Sequence, residues 1–204
     1  RWCHPERQIT KIRLVVALAL LATSLSGCSG LGIATTGAQA VYDRHDLQQS
    51  FTNHEIAGSI SAKVTDEQLF PNCYIGVSAF HNQVLLTGTA ANEALRKKAA
   101  NLAAYTPSVE HVYNFIRVGP IPSHSSIIKD SWITTKIKSK IIAAAKMSPG
   151  SVKVVTDNST VYLMGFVTPK EAEVATSTAQ HTNGVKQVVR IFEYVTLSPR
   201  PPEE

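Results

Sequence analysis

The chain has 204 residues, 44% of them apolar and 17% charged, with a formal net charge of +5. That length holds one or two small domains, and no apolar run after residue 28 is long enough to cross a bilayer as a helix. Cys3, Cys28 and Cys73 share no metal-like spacing, which argues against a cysteine-held zinc.

The N-terminus reads as an address. Lys11 and Arg13 precede an apolar run from Leu14 to Ala22, and small residues follow. A basic start, a short apolar stretch and a small-residue cleavage site make a secretory signal peptide, here residues 1–27. The ending Leu25-Ser26-Gly27-Cys28 resembles a bacterial lipobox. That resemblance implies Cys28 as the lipid attachment residue, and Ser29 after it implies the outer membrane. A thiol plus a new amino terminus can carry several acyl chains, and stable anchoring needs more than one. Residues 28–49 then read as the lipidated start and a flexible tether, rich in Gly, Ser, Thr and Ala.

A first module is expected over 50–118. Thr52 and Glu55 fit a capping box, and Ile56, Ile60 and Val64 then share one helical face. Ile75, Val77 and Ala79 alternate as a strand. His81-Asn82 is a turn, and Val84-Leu85-Leu86 is the return strand. Asn92 caps a second helix with Leu95, Ala99 and Leu102 inward; Pro107-Ser108 ends it, and a third strand runs from Val109 to Val118.

A short linker stiffened by proline, residues 119–125, leads to a second module over 126–196 in the same order. A helix is expected from Ser126 to Ala145, stopped by Pro149-Gly150. A strand from Val152, a turn at Asp157-Asn158 and a return strand from Val161 follow. Thr168, Pro169 and Glu171 spell a capping box with proline at the first helical position. Asn183-Gly184 ends that helix, and Val185 to Tyr194 is the last strand. The tail 197–204 is Pro-rich and read as disordered.

The two halves are one pattern written twice. Ile75, Val77, Val84, Leu86 and Gly88 recur 77 residues later as Val152, Val154, Val161, Leu163 and Gly165. The expected fold class is α+β: two tandem α-β-β-α-β modules, each a small mixed three-stranded sheet packed on two helices. Val84-Leu85-Leu86-Thr87-Gly88, Val161-Tyr162-Leu163-Met164-Gly165 and Gly184-Val185-Lys186-Gln187-Val188 resemble the BON domain, although Ser108 stands where the first copy should have glycine. Two such modules behind a lipobox resemble the dual-BON outer-membrane lipoproteins of Gram-negative bacteria. Tyr42-Asp43-Arg44, the run from Asp130 to Lys136 and the run from Val167 to Ala172 add to the likeness.

Subtracting one copy from the other isolates a candidate site. Residues 50–118 hold five basic and five acidic residues, whereas 119–196 hold nine and five. Glu55, Ser59, Ser61 and Lys63 of the first helix align with Trp132, Lys136, Lys138 and Lys140. Trp132, Thr135, Lys136 and Ser139 share an outward face at about 100° per residue. Indole favours the headgroup zone of a bilayer, and each Lys near an anionic surface contributes about 1 kcal/mol. Residues Trp132, Thr135, Lys136, Lys138, Ser139 and Lys140 are thus the expected phospholipid-binding set. The alternative places Trp132 in the crease between modules, with the lysines merely solvated. The family resemblance implies binding of anionic phospholipid (phosphatidylglycerol or cardiolipin) by this helix, support of outer-membrane integrity on the periplasmic face, and a place at division sites. A second reading is an adaptor for barrel-assembly or division-associated envelope proteins using the same patch.

No catalytic constellation is visible. His45, His54, His81, His111, His124 and His181 are scattered over expected loops and exposed positions, with no nucleophile elbow, phosphate loop or metalloprotease helix. The expectation is a non-enzymatic protein without metal, cofactor or nucleic-acid partner. Cys73, matched by Gly150 in the second copy, reads as a small strand-start side chain.

Overall fold

The computed structural model describes residues 52–145 and 150–195. The leader over 1–27, Cys28, the tether over 28–49, the Pro149 stop and the tail over 197–204 lie outside the described residues. The first module comprises a helix over 52–64 (α1), strands β1 (Tyr74–Phe80) and β2 (Gln83–Ala90), helix α2 (Glu93–Ala104), and strands β3 (His111–Asn114) and β4 (Arg117–Val118). The second comprises helix α3 (His124–Ala145), strands β5 (Val152–Asp157) and β6 (Thr160–Val167), helix α4 (Pro169–Gln180) and strand β7 (Gln187–Tyr194). In each sheet the hairpin strands pair antiparallel and the last strand joins the middle one in parallel, so the sheet is mixed as expected.

The capping signals at Asn92 and Thr168 work as the residues suggest. The Asn92 side chain accepts the Leu95 N–H at 2.9 Å. Thr168 and Glu171 form a reciprocal capping box over Pro169. α3 starts two residues before the expected Ser126, because Ser123 supplies an oxygen to the Ser126 N–H at 3.3 Å. The second hairpin turn also sits one residue later than expected. Asn158 and Ser159 take positive φ, 50° and 64°, matching His81 and Asn82 at 47° and 63°. Asp157 therefore stays in β5. Both pairs have the backbone hand of a tight hairpin turn.

The third strand of the first module is broken, unlike its counterpart. β3 and β4 keep one register on β2, with Gln83 opposite His111 and Thr89 opposite Arg117. Between them the Asn114 side chain accepts the Ile116 N–H at 3.1 Å and takes that amide out of the ladder. Arg190, the aligned residue, has no such oxygen, and β7 runs unbroken to Tyr194.

Each module has its own helix–sheet core. In the first, Ile56, Ile60, Val64, Val84, Leu86, Ala99 and Ala103 are buried together. In the second, Ile133, Ile137, Ile141, Val161, Leu163, Ala175 and Ala179 are. A third core lies between the sheets: Phe80 and Leu85 of one module pack with Tyr162, Met164 and Ile191 of the other. The layers thus run helices, sheet, sheet, helices, and β2 and β6 are covered on both faces. Phe115 meets Tyr162 with ring centroids 4.9 Å apart, and His81 meets Phe166 at 4.6 Å.

Polar contacts fix how the sheets meet. Asp157 accepts from Arg117 at 3.1 Å and from the Gly88 N–H at 3.3 Å. Gln83 donates to Glu193. Gly88 stands at φ 99°, and a Cβ there would lie 2.0 Å from the Tyr74 carbonyl oxygen, so only glycine fits. Burial and the nearby Asp157 push the Tyr162 phenol above its ordinary pKa, with Arg117 opposing them.

Candidate functional site

Helix α3 carries the candidate site on the face opposite its core. Ile133, Ile137 and Ile141 point inward and are buried. Half a turn round, Trp132 is 63% exposed and Ile128 68% exposed, with Ile142 48% exposed further along. Trp132 does not belong to the core between the modules, so the crease alternative is set aside. An open groove of about 660 Å³ surrounds it, lined by Ile128, Trp132, Thr135, Lys136, Ser139 and Lys140 among others. All the described lining residues come from this one helix.

The helix rests on a firm base. Asp130, on its inner side, accepts the Asn158 N–H at 2.7 Å and the Ser159 N–H at 2.9 Å. One carboxylate therefore satisfies the two amides of the β5–β6 turn. Lys129 adds a bond to the Ser159 hydroxyl at 3.3 Å. Gly184 lets the end of α4 approach, since a Cβ there would lie 3.1 Å from the Ile133 side chain.

The six expected residues do not form one patch. Trp132, Thr135, Lys136 and Ser139 sit together, with the Lys136 ammonium 4.1 Å from the Trp132 ring centroid. That distance is a cation–π contact, which at an exposed site contributes about 0.5–1 kcal/mol. Lys140 lines the edge of the groove but turns its ammonium to the Thr182 hydroxyl at 3.3 Å, near the carbonyl end of α4. Lys138 lies about 120° round the helix from Trp132 and faces a different cavity. The Thr135 and Ser139 hydroxyls donate back to the helix carbonyls of Ser131 and Thr135 at 3.0 and 3.1 Å. They enlarge the groove by being small rather than by offering donors.

Ile128 and Ile142 were not among the expected residues. Their signal was in the sequence: both lie on the Trp132 face at helical spacing, and apolar residues there have nothing within the module to pack on. Among the described residues no group of three or more His, Cys, Asp or Glu side chains could hold a metal ion. No described helix is long and apolar enough to cross a membrane.

Comparison with known proteins agrees with the fold. The BON domain model matches residues 52–120 and 129–196. The chain is 39% identical over 130 residues to the 21 kDa hemolysin of Actinobacillus pleuropneumoniae, covering 64% of this chain and 67% of that one. It is 35% identical over 130 residues to the outer membrane lipoprotein DolP of Haemophilus influenzae, with the same coverage. The solved C-terminal domain of the type III secretion protein CdsD of Chlamydia trachomatis is 11% identical and covers 67% of this chain and 96% of that one. Its TM-score is 0.29. Two BON modules in tandem and two relatives above 30% identity establish that this chain belongs to the BON-domain family, as a dual-BON protein of the DolP type.

Proposed function

We propose that this chain is a non-enzymatic, lipid-anchored protein of the cell envelope whose second module holds anionic phospholipid through α3. Kinship with an outer membrane lipoprotein supports the envelope role. The observation that carries the lipid reading is an indole, 63% exposed on the solvent side of a well-anchored helix, flanked by exposed Ile128 and by Lys136. An indole with an apolar neighbour and a cation at its rim fits the interface of a bilayer. Lys136, the cation beside the indole, contributes about 1 kcal/mol against an anionic surface. With a partly inserted Trp132 and Ile128 the sum reaches about 3 kcal/mol, an affinity on the order of 10 mM. Such a site is weak alone. It suffices on a protein already held at the membrane by acyl chains on Cys28, because the local lipid concentration is then high.

On this reading Cys28 tethers the protein to the periplasmic face of the outer membrane. The second module engages phosphatidylglycerol or cardiolipin, the first serves as its scaffold, and the result supports envelope integrity, including at division sites. Vesicle flotation of the chain expressed from residue 29 onward tests it. The protein should float with phosphatidylglycerol vesicles and not with phosphatidylcholine ones, and Trp132→Glu should abolish flotation. Failure to float at moderate ionic strength would sink the lipid reading. It would leave the same face to an envelope protein, such as a component of barrel assembly or of the division machinery.

A further inference from the structure

A second cavity lies on the other flank of α3, where the two modules meet. It has a volume of about 420 Å³ and takes its walls from α3, from the open edge of β5, from Tyr74 and Ser78 of β1, and from Pro122 of the linker. Two acids stand at its rim, and both are committed. Asp130 holds the hairpin amides, and Asp157 holds Arg117 and Gly88. Thr134 and Thr156 satisfy each other at 2.8 Å. Two cations remain, Lys138 from the helix and Lys153 from the strand. Neither has an acidic partner among the described residues. They repel each other: burial, and then the charge of Lys138, pull the Lys153 ammonium below its ordinary pKa.

The repeat supplies an independent indication. Lys138 aligns with Ser61 and Lys153 with Gly76, so the first copy builds the same fold with neither cation. The pair is therefore not needed for folding. Two unpaired ammonium groups in a crevice also lined by the Ser78 and Ser131 side chains suit a small oxyanion carrying hydroxyls.

We infer that this crevice is an anion site for a phosphodiester with a hydroxylated head, held between Lys138 and Lys153. The anion would neutralise a repulsion that the fold otherwise retains. Ser131 and Thr135 line both this crevice and the Trp132 groove, but Lys138 lies about 120° round the helix from Trp132, and neither lysine lines that groove. The site draws on both modules and the linker.

Amide-resolved NMR titration with glycerophosphoglycerol tests the inference, with sodium chloride and glycerol as controls. Saturable shifts should cluster at Ser78, Ser131, Lys138 and Lys153. Lys138→Gln or Lys153→Gln should each weaken binding about fivefold, the effect of one lysine charge, whereas Trp132→Glu should leave it unchanged. Shifts that fail to saturate, that match the salt control, or that persist at full strength in the double Gln variant would overturn the inference. Vesicles then identify the source of the phosphodiester. If the double variant also loses phosphatidylglycerol vesicles, the crevice takes a lipid headgroup; if it keeps them, the crevice takes a free phosphodiester. Because Trp132→Glu affects only the vesicle arm, failure of the membrane reading and failure of this one give different results.

Discussion

Ser108 and Gly184 occupy the same left-handed position in the two copies, at φ 66° and 96°. An L side chain there carries backbone strain that glycine avoids. Ser108→Gly should therefore stabilise the protein by about 1 kcal/mol, a gain visible in urea melts. The departure from the family pattern was legible at this residue; that the chain keeps the strained conformation rather than rerouting the turn was not. Gly88 makes the opposite case. With the Tyr74 carbonyl 2.0 Å from any Cβ, Gly88→Ala should cost about 2–4 kcal/mol and lower the melting temperature sharply.

Lys153 adds a test by pH. Its pKa is lowered in the folded chain by burial and by Lys138, so the folded state binds fewer protons than the unfolded one at alkaline pH. The charged form opposes folding at every pH below the lowered value. That opposition fades as pH rises from there to 10.5. Lys153→Met should thus stabilise the chain at pH 7, by a few tenths of a kcal/mol for so solvent-screened a group. The advantage should shrink toward alkaline pH. A variant less stable than wild type at pH 7 would mean that the lysine stem packs more than its charge repels.

At the scale of one element, α3 separates fold from function round its own circumference. Ile137 is fully buried, and Ile137→Ala should cost about 2–4 kcal/mol. Trp132→Glu, on the opposite face, should change stability by no more than about 0.5 kcal/mol while removing membrane binding. Comparing chemical melts with vesicle flotation separates the two. The helix, its inward isoleucines and the outward Trp132 group were legible because 3.6-residue periodicity is a local property. The splitting of the lysines was not. Lys138 and Lys140 are two residues apart in sequence, yet one faces Lys153 on a strand and the other Thr182 beyond α4. Those neighbours come from tertiary packing. Asp130 is an acid among Lys129, Lys136, Lys138 and Lys140 in the sequence; only the folded hairpin reveals two amides waiting for it.

Across the whole described region, the chief feature beyond the sequence reading is the third core. Each module was expected as a sheet with helices on one face, which leaves the other face unexplained. Leu85, Tyr162 and Met164 fill it by packing module on module. The hint was present in Val84-Leu85-Leu86 and Val161-Tyr162-Leu163-Met164, runs without the polar alternation of a half-exposed strand. It could not say which surface would cover them. Because the layer is apolar and tied by Asp157 to Arg117, the modules should melt together in one calorimetric transition. Leu85→Asp should bury an unpaired charge there and split that transition in two.

Trp132 reports directly on the outward face of α3. The chain has two tryptophans, Trp2 and Trp132, so expression from residue 29 onward leaves Trp132 as the sole indole. Its fluorescence, recorded while vesicles of phosphatidylglycerol or phosphatidylcholine are added, is the most direct measurement. An indole entering the interface requires a blue shift with the anionic vesicles alone and quenching by brominated acyl chains. Emission that stays at the solvent-exposed wavelength with both lipids would contradict it.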